Sequence, residues 1–331
     1  MPTAKISALG TFVPPGILTN EQLSRMVETN DTWIRERTGI SERHIADPSV
    51  ATSDMAIAAA KIALAQRGIA PTDIGVIILC SVTPDTMFPS TACIIQHALG
   101  ATGAWGFDLS AACSGFLYGL TVGSQLVASG AHKYVLVLGA DTMSRIIDYT
   151  DRATCILFGD GAGAFLLEPS QDAATEGGYI GHLNEIDGSG APFLNMPAGG
   201  SRLPASAETV AKRQHYVKQE GQQVFKYAVK KMADLSEALL AKHGLSAADV
   251  KLLVPHQANS RIITACAERL GMPLDRVMIN LDRYGNTTAA TLPLATNQAI
   301  AEGRLKKGDL VLLAAVGAGY TAGASLWRWA Y

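Results

Sequence analysis

Residues 63–84 of the chain read ALAQRGIAPTDIGVIILCSVTP, and residues 238–259 read ALLAKHGLSAADVKLLVPHQAN. Both stretches run from the end of a helical segment through a glycine, a short loop and an aspartate into an apolar strand. The glycines, Gly68 and Gly244, lie 176 residues apart, and the aspartates that follow them keep this spacing. The two stretches therefore predict a chain that contains the same structural plan twice.

The same spacing relates two apolar runs, YVLVLGA at 134–140 and LVLLAAV at 310–316. Continuous apolar runs of this length are typical of central strands that are buried on both faces. Because they alternate with helical segments, the sequence predicts an α/β fold with mixed sheets. We expect one half in residues 1–172 and the other in 173–331, with a loop-rich crossing from about Ser170 to Gln219. Helices are predicted at 53–66, 113–128, 222–242, 259–270 and 288–302.

Composition excludes several classes of protein. The chain has 331 residues, of which 48% are hydrophobic and 17% charged, as in a compact globular protein. A net charge of −2 gives no support to nucleic-acid binding. No run of about 18 apolar residues is present, so we expect a cytoplasmic protein without a membrane span. Free thiols, rather than disulfides or a zinc site, are predicted for the widely spaced cysteines Cys80, Cys93, Cys113, Cys155 and Cys266.

Cys113 lies among small residues in DLSAACSGFLYG, residues 108–119, at the predicted start of an apolar helix. A thiol at a helix N-terminus meets unpaired N–H groups and the positive end of the helix dipole, which favour the thiolate. A buried cysteine also packs as a small hydrophobic side chain. The stretch alone leaves both interpretations open.

His256 and Asn286 also follow strand-like or turn-like segments and precede helices, in VPHQAN and YGNTTAA. Taken singly, each residue has an ordinary structural interpretation, as a satisfied core histidine and as a turn or cap asparagine. Together with Cys113 they suit acyl transfer, because a thiolate attacks a thioester while the imidazole and the amide donate hydrogen bonds to an oxyanion or enolate. A Cys/His/Asn set also suits a cysteine protease, and spacing alone does not separate the two.

Five motifs, DLSAACSGFLYGL, VPHQAN, YGNTTAA, FGDGAGA and VGAGYTAGASL, resemble in order and approximate spacing the β-ketoacyl-acyl-carrier-protein synthase III family of the thiolase-like superfamily. The resemblance runs from residue 3 to the C-terminus and includes WIRERTGI and TPDTMFPSTAC. It implies a five-layered αβαβα fold of two similar halves, in agreement with the repeat. It also implies a homodimer that condenses an acyl-CoA primer with malonyl-acyl-carrier protein, giving 3-ketoacyl-acyl-carrier protein, CO2 and CoA without a metal or redox cofactor.

The resemblance implies a role for each matching residue. Cys113 would accept the acyl group, and His256 and Asn286 would promote decarboxylation and stabilise the enolate. The oxyanion would be held by the backbone N–H groups of Cys113 and Ala318. Contacts with CoA are implied for Trp33, Arg37, Arg152, Gly221, Phe225 and Asn259. The acyl pocket would include Phe88, reaching in from the partner subunit, and Val316, and the acidic carrier protein would dock on Lys226, Arg261 and Arg269.

Four positions depart from the family's common pattern. Glu268 stands where a basic residue is frequent, which bears on carrier docking. Ala318 replaces the middle glycine of three and Ala322 a tryptophan, and a Cβ at position 318 is expected to restrict a positive φ. Val316 replaces a frequent phenylalanine and is expected to enlarge the acyl pocket. We therefore expect primers larger than acetyl to be accepted.

Other functions fit the motifs less well. The glycines of VGAGYTAG are one residue off a dinucleotide fingerprint, and too little chain follows for a βαβ unit. A thiolase would need a second catalytic cysteine, and none follows Cys266. A 3-hydroxy-3-methylglutaryl-CoA synthase would need a glutamate base, and we identify none in the sequence. A non-catalytic binding module would leave the three polar residues without a purpose. The alternative that stays open is a secondary-metabolism relative, a quinolone- or polyketide-type condensing or acyl-transferring enzyme.

Overall fold

The computed structural model describes residues 3–331, and two large mixed β-sheets organise this part of the chain. The strands are β1 (Thr3–Phe12), β2 (Gly16–Thr19), β3 (Glu42–Ile45), β4 (Val76–Cys80), β5 (Trp105–Leu109), β6 (Val135–Asp141), β7 (Gly161–Ser170), β8 (Gly178–Ile186), β9 (Leu194–Asn195), β10 (Lys218–Gln219), β11 (Leu252–Pro255), β12 (Leu310–Gly317) and β13 (Thr321–Arg328). The α-helices are α1 (Asn20–Leu23), α2 (Asp31–Thr38), α3 (Thr52–Arg67), α4 (Thr91–Leu99), α5 (Gly115–Ala128), α6 (Arg152–Cys155), α7 (Ala173–Glu176), α8 (Ala207–Ala211), α9 (Gly221–Lys242), α10 (Ser260–Arg269), α11 (Leu281–Tyr284) and α12 (Thr291–Ala301).

The two large sheets have the same strand order, which confirms the duplicated plan. The first sheet runs β1-β7-β6-β4-β5, and the second runs β8-β13-β12-β11. In each sheet the first two neighbouring pairs are antiparallel and the next pair is parallel. The parallel pair β4 and β5 has its counterpart in a single parallel bridge between Leu253 and Val277. The strands predicted as buried on both faces, β6 and β12, lie in the interior of their sheets, and so does the apolar strand β4.

Helices cover both faces of both sheets and produce five layers. Helices α5 and α12 lie between the sheets, in a core that includes Phe116, Leu120 and Leu292. Helices α3 and α4 cover the outer face of the first sheet. Helices α9 and α10 cover the outer face of the second. The order of layers is therefore αβαβα, as the resemblance implied.

Close packing in the middle layer depends on glycine. A Cβ on Gly123 of α5 would lie 2.9 Å from side-chain atoms of both Leu167 and Val137, closer than carbon atoms approach. The helix can therefore lie directly on the first sheet, and its N-terminus is brought to the end of β5. The predicted glycines at the helix ends, Gly68 and Gly244, both adopt a positive φ, of 72° and 66°.

The longest helix, α9, buries one side against the second sheet. Met232, Leu235 and Leu239 are buried, while Phe225 and Val229 are half-buried at the start of the same stripe. Apolar residues at spacings of three and four produce this one-sided burial. Among residues 3–331 we find no helix whose length and hydropathy would let it cross a membrane.

The crossing between the halves is more ordered than the sequence predicts. Strand β8 lies inside the stretch expected to be a loop, and it forms the edge of the second sheet by pairing with β13. Its residues are mostly half-buried because the strand lies at the edge of the sheet. A half-buried strand needs no continuous apolar run, so no such run marks β8 in the sequence. We propose that the two halves meet at residues 172 and 173, between β7 and β8.

Candidate active site

The three polar residues singled out in the sequence lie on turns at the same end of the two sheets. Cys113 is in a 3-10 turn, Ala112–Ser114, between β5 and α5. His256 follows β11 directly, and Asn286 precedes a second 3-10 turn, Thr288–Ala290, that leads into α12. All three side chains line one cavity of about 530 Å³. The structure therefore brings together residues that are up to 173 positions apart in the sequence.

Backbone strain is concentrated around this cavity. Four non-glycine residues among 3–331 have a positive φ, and three of them flank the site: Ala112 at 47°, Thr288 at 53° and Tyr320 at 51°. Left-handed backbone is unfavourable for residues with a Cβ and persists where the surroundings fix it. Each strained residue sits in one of three turns, beside Cys113, Asn286 and Ala318. The fold thus holds these turns in conformations that the isolated segments would avoid.

Burial dominates the protonation state of Cys113. The residue is only 6% exposed, and this desolvation, with the negative charge of Asp141, raises the pKa of the thiol to about 12. Its own backbone N–H and the Asn286 amide oppose the rise by donating towards the sulfur. Burial therefore opposes the preference for thiolate expected at the helix N-terminus and favours the thiol form of Cys113 at neutral pH.

We expect the alkylation rate of Cys113 to rise with pH without a plateau between pH 7 and 9. The thiolate is the reactive form, and its fraction increases about tenfold per pH unit below the pKa. Asp141, whose pKa burial raises to about 6, is already ionised over this range. Mass spectrometry of the Cys113 peptide after timed iodoacetamide exposure would measure the rate, with exposed Cys93 in the same sample as reference. A rate that levels off below pH 9 would contradict the expectation.

Asn286 is fixed by its backbone and by its amide oxygen. Its N–H donates to Leu157 O at 2.8 Å, and its carbonyl accepts from Gly159 N–H at 3.1 Å, so it forms an isolated parallel bridge with Phe158 of the first half. Its Oδ1 accepts a hydrogen bond from Thr288 N–H at 2.9 Å. With the oxygen used in this way, the NH2 group faces Cys113 and can donate to sulfur or to a substrate oxygen.

His256 is buried and neutral. It is 2% exposed, and this burial lowers the pKa of the imidazole to about 3. Its backbone N–H donates to Ala314 O at 2.7 Å, and its Nδ1 lies 2.7 Å from Thr291 Oγ1. The second ring nitrogen, Nε2, is left for the cavity. A neutral imidazole of this kind is suited to donate a hydrogen bond and is a weak base.

The last turn of the site, at Ala318, is bonded directly to the Cys113 turn. Thr321 Oγ1 donates to Ala111 O at 3.1 Å, and Ser114 Oγ donates to Thr321 O at 3.1 Å. Between them Gly317 approaches so closely that a Cβ there would lie 2.8 Å from Cys113 N. Ala318 itself lines the cavity. The positive φ values fall on Gly319 and Tyr320 instead, so the expected conformational cost of alanine at 318 is wrong.

Asp141 connects the two halves behind the site. This buried carboxylate, at the end of β6, accepts from Ser81 Oγ, Val82 N–H and Thr83 Oγ1 at 2.8–3.0 Å. Its other oxygen, Oδ2, accepts from Ala289 N–H at 3.2 Å, in the turn that follows Asn286. Four donors compensate the cost of burying the charge. Asp141 therefore anchors the Asn286 turn to the first sheet.

Known proteins resemble the chain along its whole length. Residues 107–182 match the family model of 3-oxoacyl-[acyl-carrier-protein (ACP)] synthase III, and residues 240–329 match the model of its C-terminal part. The beta-ketoacyl-[acyl-carrier-protein] synthase III of Solibacter usitatus is 67% identical over 331 residues, which cover 100% of both chains. The chain belongs to the β-ketoacyl-[acyl-carrier-protein] synthase III family.

Solved structures of the same family agree with the fold. The 3-oxoacyl-[acyl-carrier-protein] synthase III of Aquifex aeolicus is 41% identical with a TM-score of 0.90, covering 98% of this chain and 100% of that one. The priming β-ketosynthase of the R1128 polyketide pathway is 32% identical with a TM-score of 0.90, covering 98% and 96%. Because the curated relative at 67% identity is named synthase III, the secondary-metabolism alternative is not favoured.

Most of the residues matched to the family's CoA contacts line the cavity. Trp33, Arg37, Gly221, Phe225 and Asn259 do so, and buried Val316 lines the same cavity as Cys113 and Ala318. Asn259 is held at both ends of its amide, because its Oδ1 caps α10 at Arg261 N–H and its Nδ2 donates to Arg37 O, both at 2.9 Å. Its amide therefore holds the Arg37 backbone at the mouth of the cavity.

Arg152 lies at the outer edge of the mouth and is not among the residues that line the cavity. Its guanidinium carbon is 5.1 Å from the centroid of the Trp33 ring, and that of Arg37 is 5.6 Å away. Both distances are within the range of cation–π contact. Because Arg152 already covers the Trp33 ring, it has to move before a purine ring could stack between the two side chains.

Besides Arg152, three predicted residues do not line the cavity. Phe88 is 85% exposed, in the loop before α4. Lys226 is exposed on α9, and Arg269 is exposed at the end of α10. The third predicted docking residue, Arg261, lines the cavity mouth, with its guanidinium 5.5 Å from the Phe225 ring.

Three residues that shape the site were not predicted from the sequence: Asp141, Thr291 and Thr321. Each contacts a turn from a distant part of the chain, so no local pattern identifies it. Asp141 gave one signal, because a charged residue ends a fully apolar run. Thr291 lies just after the YGNTTAA motif, but a threonine before a helix is usually a cap.

Proposed function

We propose that the chain catalyses the decarboxylative condensation of an acyl-CoA primer with malonyl-acyl-carrier protein, the reaction that starts fatty acid synthesis. The observation that carries the proposal is the convergence of Cys113, His256 and Asn286 on one cavity. One sulfur nucleophile beside two neutral hydrogen-bond donors suits carbon–carbon bond formation between thioesters. Membership of the family supports the same reaction.

In the first half-reaction the acyl group moves from CoA to Cys113. The cysteine sulfur attacks the thioester carbon, the bond to the CoA sulfur breaks, and the proton of the thiol ends on CoA. Because a thiol and a thioester exchange places, no net proton is gained or lost. The N–H groups of Cys113 and Ala318 would hold the oxyanion. Contacts of Gly317 and Thr321 with the Cys113 turn keep the Ala318 turn close to it.

In the second half-reaction malonyl-acyl-carrier protein loses CO2, and the electron pair of the broken bond forms an enolate. His256 Nε2–H and the Asn286 NH2 group donate to the enolate oxygen, and the carbon attacks the acyl group on Cys113. The carbon–sulfur bond breaks, and the released sulfur takes up one proton. Burial favours this thiol form, so the enzyme returns to its starting state.

The direct test combines an isotopically labelled acyl-CoA with malonyl-acyl-carrier protein and follows the products by mass spectrometry. We expect a labelled 3-ketoacyl-acyl-carrier protein, one CO2 and one CoA per turnover, and a mass increase on Cys113 when the malonyl substrate is omitted. A preparation that acylates Cys113 but never releases CO2 would overturn the condensation reaction.

The pocket around Cys113 supports the use of primers larger than acetyl. Val316, Phe158 and Leu194 contribute apolar side chains to the wall of the cavity that contains Cys113. We expect Val316→Phe to lower kcat/KM for hexanoyl-CoA about tenfold or more, because the larger ring occupies volume that the acyl chain needs. Acetyl-CoA should change about threefold at most. Competition between the two primers at equal concentration measures the ratio, and equal losses for both would contradict the assignment of this wall.

Docking of the acidic carrier protein is proposed for the basic residues beside the cavity mouth. They are not equivalent, because Arg269 donates to Asp234 at 2.6 Å and Lys230 pairs with the same carboxylate at 2.7 Å. Arg261 has no such partner among the ion pairs of residues 3–331 and lies at the mouth. Glu268 adds another negative charge next to Arg269.

We therefore expect Arg261→Glu to raise KM for malonyl-acyl-carrier protein about tenfold and Arg269→Glu to raise it much less. A free positive charge attracts an acidic partner more than a charge that is already compensated. Turnover with malonyl-CoA in place of the carrier-bound substrate serves as the control, since it lacks the carrier's acidic surface. A larger effect at Arg269 would show that its ion pair opens on docking.

We further propose a cytoplasmic homodimer. Strand β5 is an unpaired edge of the first sheet, with Trp105 49% exposed, and nearby Phe88 is 85% exposed. Edge strands and exposed aromatic side chains are features that a second copy of the chain can cover. Sedimentation equilibrium would give the mass, and a monomer at micromolar concentration would contradict the dimer.

A further inference from the structure

One short turn contacts both donors of the proposed enolate site. Thr288 N–H donates to Asn286 Oδ1 at 2.9 Å, and Thr291 Oγ1 lies 2.7 Å from His256 Nδ1. The first contact uses the amide oxygen and leaves the NH2 group for the cavity. The second contact has a corresponding consequence for the imidazole, because a neutral histidine carries its proton on only one nitrogen.

The Thr291 hydroxyl has a single proton and two neighbouring acceptors. These are His256 Nδ1 at 2.7 Å and Thr288 O at 3.0 Å. Thr288 O already accepts the backbone N–H of Thr291, whereas Nδ1 has no other hydrogen-bond partner in residues 3–331. Two arrangements satisfy every buried polar group: the hydroxyl donates to Nδ1, or Nδ1–H donates to the hydroxyl and the hydroxyl donates to Thr288 O. The distances favour the first, because 2.7 Å is typical of an O–H donor and short for an N–H donor, whereas 3.0 Å to Thr288 O is long for an O–H donor.

We propose that Thr291 is a positioning residue that holds His256 as the tautomer with its proton on Nε2, so that the ring donates into the cavity. This inference rests on the proposed function for its chemical purpose. With the proton on Nδ1 instead, the Nε2 lone pair would face the developing enolate oxygen and repel it. The turn from Thr288 to Thr291 thus sets the direction of both hydrogen bonds that the enolate receives.

The tautomer can be measured without any turnover. Protein labelled with 15N-histidine gives long-range 1H–15N correlations that distinguish a protonated Nε2 from a protonated Nδ1, and His256→Ala identifies the signal among the seven histidines. We expect a protonated Nε2 in the wild type and in Thr291→Ser, and loss of this preference in Thr291→Val. A wild-type spectrum with a protonated Nδ1 would overturn the proposal, whatever the variants do.

The kinetic consequence is confined to the step that forms the enolate. We expect Thr291→Val to slow CO2 release from malonyl-acyl-carrier protein about 10- to 100-fold, as for loss of a group that orients an essential histidine. Thr291→Ser should restore the rate to within about threefold, because it restores the hydroxyl.

Thr296→Val is a matched control. Thr296 is a buried threonine on the same helix, and its hydroxyl bonds to Leu292 O at 2.8 Å rather than to His256. It should change CO2 release about twofold at most. A wild-type rate in Thr291→Val would contradict the proposal. A wild-type enzyme that releases no CO2 would remove the proposed function, while the spectrum would still report the tautomer.

Discussion

Replacing Cys113 by alanine is expected to lower condensation by about 10⁴-fold or more and to remove the acyl-enzyme from the mass spectrum. Loss of a nucleophile removes a whole covalent pathway and not merely one hydrogen bond. The variant should fold, since Cys113 is a small buried side chain in a cavity wall and alanine introduces no polar group. Intact-protein mass after incubation with acyl-CoA alone, and turnover with both substrates, measure the two effects.

Cys93→Ala provides the matched control for this variant. Cys93 is an exposed cysteine in the first turn of α4, with its sulfur 3.1 Å from Ser90 Oγ and away from the cavity. It should acylate and condense like the wild type. A covalent acyl group on Cys113→Ala, located by peptide mapping to another residue, would show that the nucleophile is wrongly assigned.

The second large effect concerns His256 and Asn286, the two proposed hydrogen-bond donors to the enolate. His256→Ala and Asn286→Ala are each expected to lower condensation about 10²- to 10³-fold, the usual cost of removing one oxyanion-type donor. They should differ in the first half-reaction, because Asn286 donates towards the Cys113 sulfur and thereby opposes the rise in its pKa. We therefore expect Asn286→Ala to slow acylation as well, and His256→Ala to act mainly on decarboxylation.

Rapid-quench measurement of acyl-enzyme formation, alongside CO2 release, separates the two steps. The exposed residues His97 and Asn297 offer like-for-like controls, since their replacement by alanine touches no residue of the cavity. If both catalytic variants lose acylation and decarboxylation in equal measure, the division of roles between imidazole and amide is mistaken.

The duplicated fold could be predicted because it rests on long-range periodicity that survives in the sequence. The strands β4 and β11, and β6 and β12, are continuous apolar runs with constant spacing, and buried central strands must be apolar. Strand β8 escaped prediction because its residues are only half-buried at a sheet edge. Edge strands carry little of the pattern on which such predictions depend.

The meeting of Cys113, His256 and Asn286 at one cavity could also be predicted, but the electrostatics of these residues could not. The position of Cys113 beside a helix N-terminus is a local property, whereas its burial and its proximity to Asp141 arise only when the two halves pack. The roles of Asp141 and Thr291 depend on hydrogen bonds between turns 148 and 35 residues apart in the chain. Sequence patterns indicate which elements form, and tertiary packing decides which polar groups meet.

The contact between Asp141 and Ala289 differs from its counterpart in the other half of the duplicated fold. Asp141 and Gly317 end equivalent strands and lie 176 residues apart. By the same spacing, Cys113 and Ala289 occupy equivalent positions. A side chain at 317 would point at Cys113 N–H, just as the Asp141 carboxylate points at Ala289 N–H. In the first sheet the carboxylate of Asp141 bonds to the N–H of the neighbouring turn, whereas in the second sheet Gly317 has no side chain at the equivalent position. Of the two equivalent turns, the one at Ala289 is therefore tied to the first sheet by Asp141, whereas the one at Cys113 keeps its N–H groups clear of any carboxylate from the equivalent strand.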